Sequence, residues 1–237
     1  MTEKPMNAWG QAIAAFAVVG AVGVGFWAQN QLADGGARAA EKPGACSGGA
    51  ATKGDKAAGR VSGAQLCKAL NQPELADWLG TPGELPRSAS GSGDGSLRLD
   101  RGKTPYRAAR IEFDTYTVTI SATYDKRPVA GWEKLLGADA HAQKVLRRNA
   151  VFYSSQTIGM SFRLDGKDAK STQGVPAEAL TVALDPKDRG GSYELVVWRN
   201  HGGYPDRTVL LDIAEHVLPV VPGFDSGSTP PQDTPSS

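Results

Sequence analysis

The longest apolar segment of the chain runs from Ala8 to Ala28 and contains no charged residue. An α-helix needs about 20 such residues to cross a bilayer. Trp9 and Trp27 lie near the two ends of the segment, and helical geometry separates them by about 27 Å, which places both indoles at the depth of the lipid headgroups. The pattern predicts a single transmembrane anchor over residues 1–29, with the rest of the chain on one side of the membrane.

A cleaved signal peptide and a buried helix of a soluble protein are the alternatives to a retained anchor. Signal peptides have a basic start, an apolar core of about 7–15 residues and a cleavage site soon after it. Here the start MTEKP is almost neutral, the apolar core is longer, and the small residues Ala37 and Ala39 lie well beyond it. These features favour the anchor, while lysine and arginine residues on both sides leave its orientation open.

Two stretches have the composition of flexible segments. Residues 30–60 are rich in Ala, Gly and Lys, and residues 225–237 are rich in Ser, Pro and Asp. Neither stretch contains enough large apolar side chains to offset the entropy of ordering the chain. We therefore predict a flexible linker at 30–60, one folded domain at 61–224, and a disordered tail at 225–237.

Apolar spacing and capping residues predict the helices of this domain. Ser62 and Gln65 form a capping-box pattern at the start of one helix, and Pro73 suits the first turn of the next. A third helix is expected after Pro128. The last helix begins near Pro205 and has an apolar stripe at helical spacing: Val209, Leu210, Ile213, Ala214 and Val217.

Alternation of apolar and polar residues predicts the strands. Residues 111–113 and 116–124 alternate with opposite parity, which indicates a tight turn or a bulge at Asp114 and Thr115. Further strands are predicted at 150–154, 157–164, 180–184 and 193–198. The first two of these are expected to form a hairpin around Ser155-Gln156.

Residues 81–105 are polar and rich in Ser and Gly, which is typical of a long disordered loop. With this loop set aside, the order of elements is ααββαββββα. The order predicts an α+β fold in which an antiparallel β-sheet is covered by helices on one face, preceded by the N-terminal transmembrane helix and the flexible linker.

The charge balance excludes one class of function. The 26 basic and 25 acidic residues give a net charge of +1, so the chain has no broad positive field for nucleic acid. It has no motif for a nucleophile elbow, a phosphate-binding loop or a zinc site, and its three histidines are scattered. Glu112 and Asp114 fit the solvated face of a strand better than an acid–base pair. The sequence therefore predicts no catalytic residue, no metal ligand and no cofactor.

Cys46 and Cys67 are the only cysteines of the chain. A pair with no leftover thiol suits an exported domain in an oxidising compartment. A bridge between them would tie the linker to the first helix and contribute about 3 kcal/mol in the chain-entropy model. The pair predicts a disulfide, and it is our reason for expecting the domain on the outer side of the cell membrane.

The segment from Trp198 to Tyr204 is the best candidate for a recognition loop. It joins a strand to a helix and combines aromatic, cationic and amide groups, as binding loops often do. Trp198, Arg199, His201 and Tyr204 are its candidate contact residues. A glycine turn ahead of a helix that starts with proline explains the same residues.

Four segments carry a resemblance to a known family: FDTYTVTISATYD, VFYSSQTIGMSFRL, SYELVVWR and LLDIAEHVLPVVPG. They resemble a family of unknown function from Streptomyces-type actinobacteria, over most of residues 105–224. The resemblance implies a single-pass, membrane-anchored domain and implies no activity, ligand or catalytic residue. The element order also resembles, at the level of fold alone, the antiparallel α/β sandwich of some actinobacterial cell-envelope lipoproteins.

These features predict a membrane-tethered, extracytoplasmic binding or interaction module, whose partner is an envelope ligand or protein and not a nucleic acid. One alternative is an enzyme with an unrecognised site that acts on envelope material, and a deep pocket with convergent titratable groups would favour it. The other alternative is a cytoplasm-facing regulatory module, and reduced cysteines would favour it. The identity of the ligand and the oligomeric state stay open.

Overall fold

A computed structural model describes residues 44–93, 95–99, 102–136, 138–161 and 170–224 of the 237-residue chain. Within these residues lie the strands β1 (Cys46–Ser47), β2 (Ser88–Gly91), β3 (Gly95–Leu99), β4 (Gly102–Glu112), β5 (Tyr116–Thr123), β6 (His141–Val145), β7 (Arg148–Ser161), β8 (Lys170–Ala183) and β9 (Ser192–Arg199). The helices are α1 (Lys53–Ala57), α2 (Gly63–Leu70), α3 (Leu75–Trp78), α4 (Glu133–Leu136) and α5 (Arg207–Val217), and α5 is followed by a 3₁₀ turn (Leu218–Val220).

The nine strands of the described residues belong to one sheet. Eight of them lie side by side in the order β1-β2-β4-β5-β9-β8-β7-β6, and β3 pairs with the first part of β4. Neighbouring strands are antiparallel except β1 and β2, which are parallel. The structure therefore confirms a mixed fold of helices and strands that is dominated by a sheet.

One face of the sheet, here called the front face, carries the main hydrophobic core. Alternation along the strands places Ile111, Ile120 and Leu195 on this face, where all three are fully buried. The helices α2 and α5 cover the face with their buried residues Leu66, Cys67, Ala69, Leu70, Leu210, Ile213, Ala214 and Val217. Burial of each large side chain stabilises the fold by about 1.5–3 kcal/mol, so packing holds these helices more than helix propensity does.

A smaller apolar cluster lies on the opposite face, here called the back face. Val151 is buried there against Trp132 and Leu136, the latter in α4. Phe152, the next residue of β7, is buried in the front core, so alternation puts Val151 on the other side of the sheet. The prediction that helices cover one face only is therefore correct for α2 and α5 and wrong for α4.

The starts of α2 and α5 agree with the predictions of a capping box at Ser62 and Gln65 and of a last helix that begins near Pro205. The Ser62 hydroxyl accepts a hydrogen bond from the backbone N–H of Gln65 at 3.2 Å, and Gln65 Oε1 accepts one from the Ser62 N–H at 2.9 Å. Asp206 caps α5 by accepting from the Thr208 N–H at 2.9 Å. These caps satisfy backbone donors that have no partner inside a helix, and they fix where α2 and α5 begin.

The residues predicted as a long polar loop, 81–105, contain β2, β3 and the start of β4. Alternation does not reveal β2, because its residues are small or polar and pair through the backbone, and in β3 only Leu97 and Leu99 suggest a short strand. Gly91 packs on Gly63 so closely that a Cβ atom on Gly91 would lie 2.4 Å from the carbonyl carbon of Gly63. Such a close approach requires glycine within a strand, whereas glycine in a sequence usually indicates a turn.

The strand β7 is continuous, so the predicted hairpin turn at Ser155 and Gln156 is wrong. The turn lies instead at Leu146 and Arg147, between β6 and β7. Both residues have positive φ, 46° and 65°, as a two-residue turn of this hairpin type requires. Because neither residue is Gly, Asn or Asp, no composition signal indicates the turn, and the prediction misses β6 as well.

The pair of strands β7 and β8 extends beyond the rest of the sheet. β8 pairs with β9 only over Ala177–Ala183, whereas its pairing with β7 continues as far as Ser161 and Lys170. A shift of register and a hydrogen bond of 2.8 Å from the Val175 N–H to Thr157 Oγ1 lie near the point where the pair leaves the sheet. In the outer part, here called the β7–β8 ribbon, the two strands pair with each other and with no third strand in the part of the chain that the structure describes.

The folded part of the domain begins before residue 61. β1 and α1 lie within residues 30–60, for which the composition predicts a linker. Asp55 of α1 is fully buried, and its two carboxylate oxygens accept hydrogen bonds from Arg107 Nη2 at 2.6 Å and Nε at 3.1 Å. A buried ion pair therefore orders a segment that has almost no large apolar residue.

Two other predicted segments, the anchor at 1–29 with Trp9 and Trp27 and the tail at 225–237, lie outside the described residues. Among the helices that the structure does describe, none has both the length and the apolar character needed to span a bilayer.

The predicted disulfide is confirmed. Cys46 in β1 and Cys67 in α2 are bonded to each other, with their Cα atoms 5.9 Å apart. Cys67 is fully buried and Cys46 is exposed. The bridge ties a two-residue edge strand to a helix that covers the front core.

Candidate functional site

A groove lies at the end of the sheet where β4 turns into β5 and where the chain leaves β9. Its volume is about 470 Å³, which is in the range of sites for small ligands. The groove is lined by Arg87, Arg110, Glu112, Phe113, Asp114, Thr117, Asn200 and His201. Because most of these side chains are charged or polar, we call it the polar groove.

The charged residues of the polar groove come from one strand and its neighbour. Arg110 and Glu112 are two positions apart on β4 and share the back face, and Asp114 follows in the turn. Arg87 joins them from the segment before β2, where its backbone N–H donates to the carbonyl of Glu112 at 2.7 Å. The sheet thus brings together two arginines and two carboxylates.

Each arginine is paired with a carboxylate through its Nε atom. Arg110 Nε lies 2.6 Å from Glu112 Oε1, and Arg87 Nε contacts Asp114 Oδ1. The four side chains keep between 38% and 65% of their surface exposed. Exposed pairs contribute only about 0–1 kcal/mol to stability. Within the described residues, the Nη atoms of Arg87 and Arg110 have no protein acceptor, so they are available to a ligand.

Trp198 supplies the aromatic part of the site. The strand register places Trp198 of β9 opposite Thr117 of β5, which in turn lies opposite Glu112, so all three share the back face. The guanidinium of Arg110 lies over the indole, 5.1 Å from the ring centroid. This contact orients the guanidinium through its face and leaves the N–H edge open.

Asn200 fixes the loop after β9 against the β4–β5 turn. Its Oδ1 accepts a hydrogen bond from Thr117 Oγ1 at 2.7 Å, and its Nδ2 donates to the Phe113 carbonyl at 2.8 Å. Its backbone N–H donates to the Thr115 carbonyl at 2.9 Å. These three bonds position His201 in the wall of the groove.

The predicted recognition loop contributes two of its four residues to this site. His201 lines the groove, and Trp198 lies beneath Arg110. Arg199 is one position along β9 and so belongs to the other face, where its guanidinium lies 5.3 Å from the ring centroid of Tyr116. Tyr204 is 66% exposed and does not line the groove.

The sequence predicts no role for Arg87 or Arg110 and places Glu112 and Asp114 on a solvated strand face. Asn200 lies within the predicted recognition loop but is not one of its four candidate contact residues. One signal could have indicated the site: the charged residues Arg110, Glu112 and Asp114 alternate with apolar residues at the end of β4. No signal placed Arg87 or Asn200, because both reach the site through pairing with distant parts of the chain: the contacts of Asn200 span more than 80 residues.

A second polar cluster lies on the back face, away from the groove residues listed above. The Tyr153 hydroxyl donates a hydrogen bond to Glu194 Oε1. Burial raises the pKa of Tyr153, and the neighbouring Glu194 carboxylate raises it further. The phenol is therefore protonated at neutral pH and serves as a donor.

Across the described ranges, no three His, Cys, Asp or Glu side chains are grouped so that they could hold a metal ion.

Fold and groove together define a sheet-dominated domain with a polar groove at one end of its sheet. The chain belongs to a family of unknown function, DUF6215, whose model matches residues 3–139. This confirms the predicted membership in a family of unknown function, and the match carries no statement about source organism or membrane anchoring. It includes the four charged groove residues and ends before Trp198. No curated protein matches the chain, and no solved structure matches it.

Proposed function

We propose that the protein is a membrane-tethered, extracytoplasmic binding module and that the polar groove is its ligand site. The observation that carries the proposal is how Arg87 and Arg110 are paired and which of their donor atoms are left for a ligand. Each arginine pairs through its Nε with a carboxylate, each lines the groove, and no protein acceptor within the described residues is bonded to the Nη atoms of either. Preorganised guanidinium edges bind carboxylate and phosphate oxygens well, because the donors are fixed before the ligand arrives.

The same groove argues for binding over catalysis. Its carboxylates are exposed and paired with arginine, so neither is held in the buried setting that tunes a general acid or base. His201 is exposed at the rim. A binding role requires only the donors, acceptors and aromatic surface that are already in place.

The disulfide supports an oxidising environment, and the apolar segment at 8–28 supports a tether. Protease treatment of intact protoplasts that carry a C-terminal epitope tag tests this part of the proposal. We expect the tag to be lost and both cysteines to resist alkylation until they are reduced. A protected tag with thiols that label at once would place the domain in the cytoplasm.

Binding is tested with the full-length protein in detergent, with the indole N–H signal of Trp198 observed by NMR. A Trp198→Phe variant assigns that signal. The probes are inorganic phosphate, acetate, maltose and trialanine, each titrated to millimolar concentration. We expect at least one probe to shift the Trp198 signal and Arg110→Gln to reduce that shift.

Arg189→Gln is the matched control for this titration, because Arg189 is an exposed, ion-paired arginine in another turn of the domain. It should leave the shift unchanged. If none of the four probes moves the Trp198 signal, or if both variants weaken binding equally, the groove is not the ligand site.

A further inference from the structure

From the arrangement of charges in the polar groove, and resting on its proposed binding function, we infer that its ligand is a short peptide with a free amino end and a free carboxylate end. The carboxylate is bound at Arg110 beside Trp198, and the ammonium is bound at Asp114.

The balance of charge disfavours a simple anion as the ligand. Two guanidinium groups and two carboxylates line the same groove, so their formal charges cancel. A bare phosphate would meet Glu112 and Asp114 as well as the arginines, and like charges repel over the few ångströms involved. A ligand that carries both charges meets a complementary group at each end.

The available atoms differ between the two ends of the groove. At one end, Arg110 uses Nε for Glu112, and Glu112 Oε2 is already occupied by the Ser88 hydroxyl at 2.9 Å. The Nη edge of Arg110 is therefore the open group at that end. At the other end, Asp114 uses Oδ1 for Arg87, and no donor within the described residues contacts its Oδ2. The first end offers donors alone, and the second offers a carboxylate acceptor beside the Nη donors of Arg87.

The spacing sets the length of the ligand. Arg110 lies in β4, which ends at Glu112, and Asp114 lies in the turn that follows, so their Cα atoms are closer than the roughly 13 Å that four fully extended residues would span at about 3.3 Å per residue. An extended peptide covers about 3.3–3.6 Å per residue, so a peptide of at most about four residues bridges the two ends. A groove of about 470 Å³ accommodates a ligand of this size.

The test is a titration of the full-length protein in detergent with trialanine in four forms: both ends free, N-acetylated, C-amidated, and blocked at both ends. Binding is followed by the Trp198 indole signal and by calorimetry. We expect blocking either end to weaken binding about tenfold, the loss of one charge-assisted hydrogen bond. We also expect phosphate to bind more weakly than free trialanine.

Two variants assign the two ends. In Arg110→Gln, amidation of the peptide should no longer weaken binding, whereas acetylation still should. In Asp114→Asn the pattern should be reversed. Arg189→Gln, the matched control, should keep both dependences. Because these are differences between peptides within each variant, they do not depend on equal stability of the proteins.

The outcomes separate this inference from the proposed function. If the doubly blocked peptide binds as tightly as the free one, or if phosphate or maltose shifts Trp198 and free trialanine does not, the ligand class is wrong while the groove remains a binding site. If none of the probes shifts Trp198, both the ligand class and the groove function are wrong.

Discussion

Single residues decide the order of the segment that precedes the core. Asp55 and Arg107 form a two-point ion pair beneath the front face, where neither side chain has more than a few per cent of its surface exposed. Burial opposes ionisation of Asp55, but hydrogen bonds from Arg107 and Thr52 outweigh it and hold the pKa of the carboxyl below its usual value. A buried charge with such partners is stabilising only while both members are present.

Asp55→Asn should destabilise the fold by about 3–5 kcal/mol, because it leaves the Arg107 guanidinium buried without this carboxylate. Urea unfolding followed by circular dichroism measures the change. Asp114→Asn, which removes an exposed partner, is the control and should cost no more than about 1 kcal/mol. Equal effects of the two variants would contradict a special role for the buried pair.

The same pair predicts a dependence of stability on pH. Because the folded-state pKa of Asp55 is lowered, its contribution is fully present above the unfolded-state pKa of about 3.9 and is lost as the pH falls through the folded-state pKa. The difference in unfolding free energy between the wild type and Asp55→Asn should therefore be constant near neutral pH and shrink in acid. A difference that stays constant down to pH 2 would argue against the pair.

At the scale of elements, side-chain contacts dock the helices on the sheet. Arg207, the first residue of α5, donates from Nε to Glu178 Oε2 at 2.8 Å and from Nη2 to Ser154 Oγ at 3.0 Å. Glu178 is buried on β8, and the Ser154 hydroxyl donates to its other oxygen at 3.1 Å. One residue thus joins the start of α5 to β7 and β8.

Arg207→Met should destabilise the domain by about 1–3 kcal/mol, because a buried carboxylate loses its charged donor. Hydrogen exchange should increase first in the opening turn of α5, and less in β5 at the centre of the sheet. Arg189→Met, at an exposed turn, is the control. Uniform acceleration of exchange across the sheet would mean that the contact stabilises the whole fold and not the docking of α5.

Elements predicted well from the sequence are those that bury a periodic apolar stripe. The capping box of α2, the alternation in β5 and β9, and the stripe of α5 all agree with the structure, because one face of each packs on the front core. The prediction fails where pairing is carried by the backbone. β2 is built from Ser, Ala and Gly, and the β6–β7 turn uses Leu146 and Arg147 in a conformation that their types disfavour.

The candidate site shows the same division. Trp198 and His201 could be named from the sequence, because they lie in a loop of mixed chemistry. Arg87 and Asn200 reach the groove only through the register of β2 with β4 and of β9 with β5. Register depends on long-range pairing, which local pattern does not encode.

At the scale of the whole molecule, the strands of the sheet differ in how many neighbouring strands they pair with. Central strands such as β5 have a partner on both sides, whereas among the described residues the β7–β8 ribbon pairs with no third strand. A two-stranded ribbon is marginally stable by itself. We therefore expect the central strands to be rigid and the β7–β8 ribbon to open more easily.

Hydrogen exchange should distinguish the two parts of β8. Amides of residues 170–173, in the ribbon, should exchange at least about a hundredfold faster than those of residues 177–183, which also pair with β9, because local opening of the ribbon requires no unfolding of the core. Exchange measured by NMR at neutral pH gives both rates. Equal protection would mean that the ribbon opens only with the whole domain.

The link between Cys46 and Cys67 determines how the domain bears mechanical load. A pull on the chain ahead of Gly44 first meets β1, which pairs over only two residues and would detach under a small force. The covalent bond passes that force directly into α2, whose buried face is part of the core. Gly44 lies ahead of the bridge, so its hydrogen bond of 2.7 Å to the Pro86 carbonyl is loaded before the covalent bond is. An oxidised domain therefore keeps β1 attached to α2 under tension, whereas a reduced one would lose β1 first.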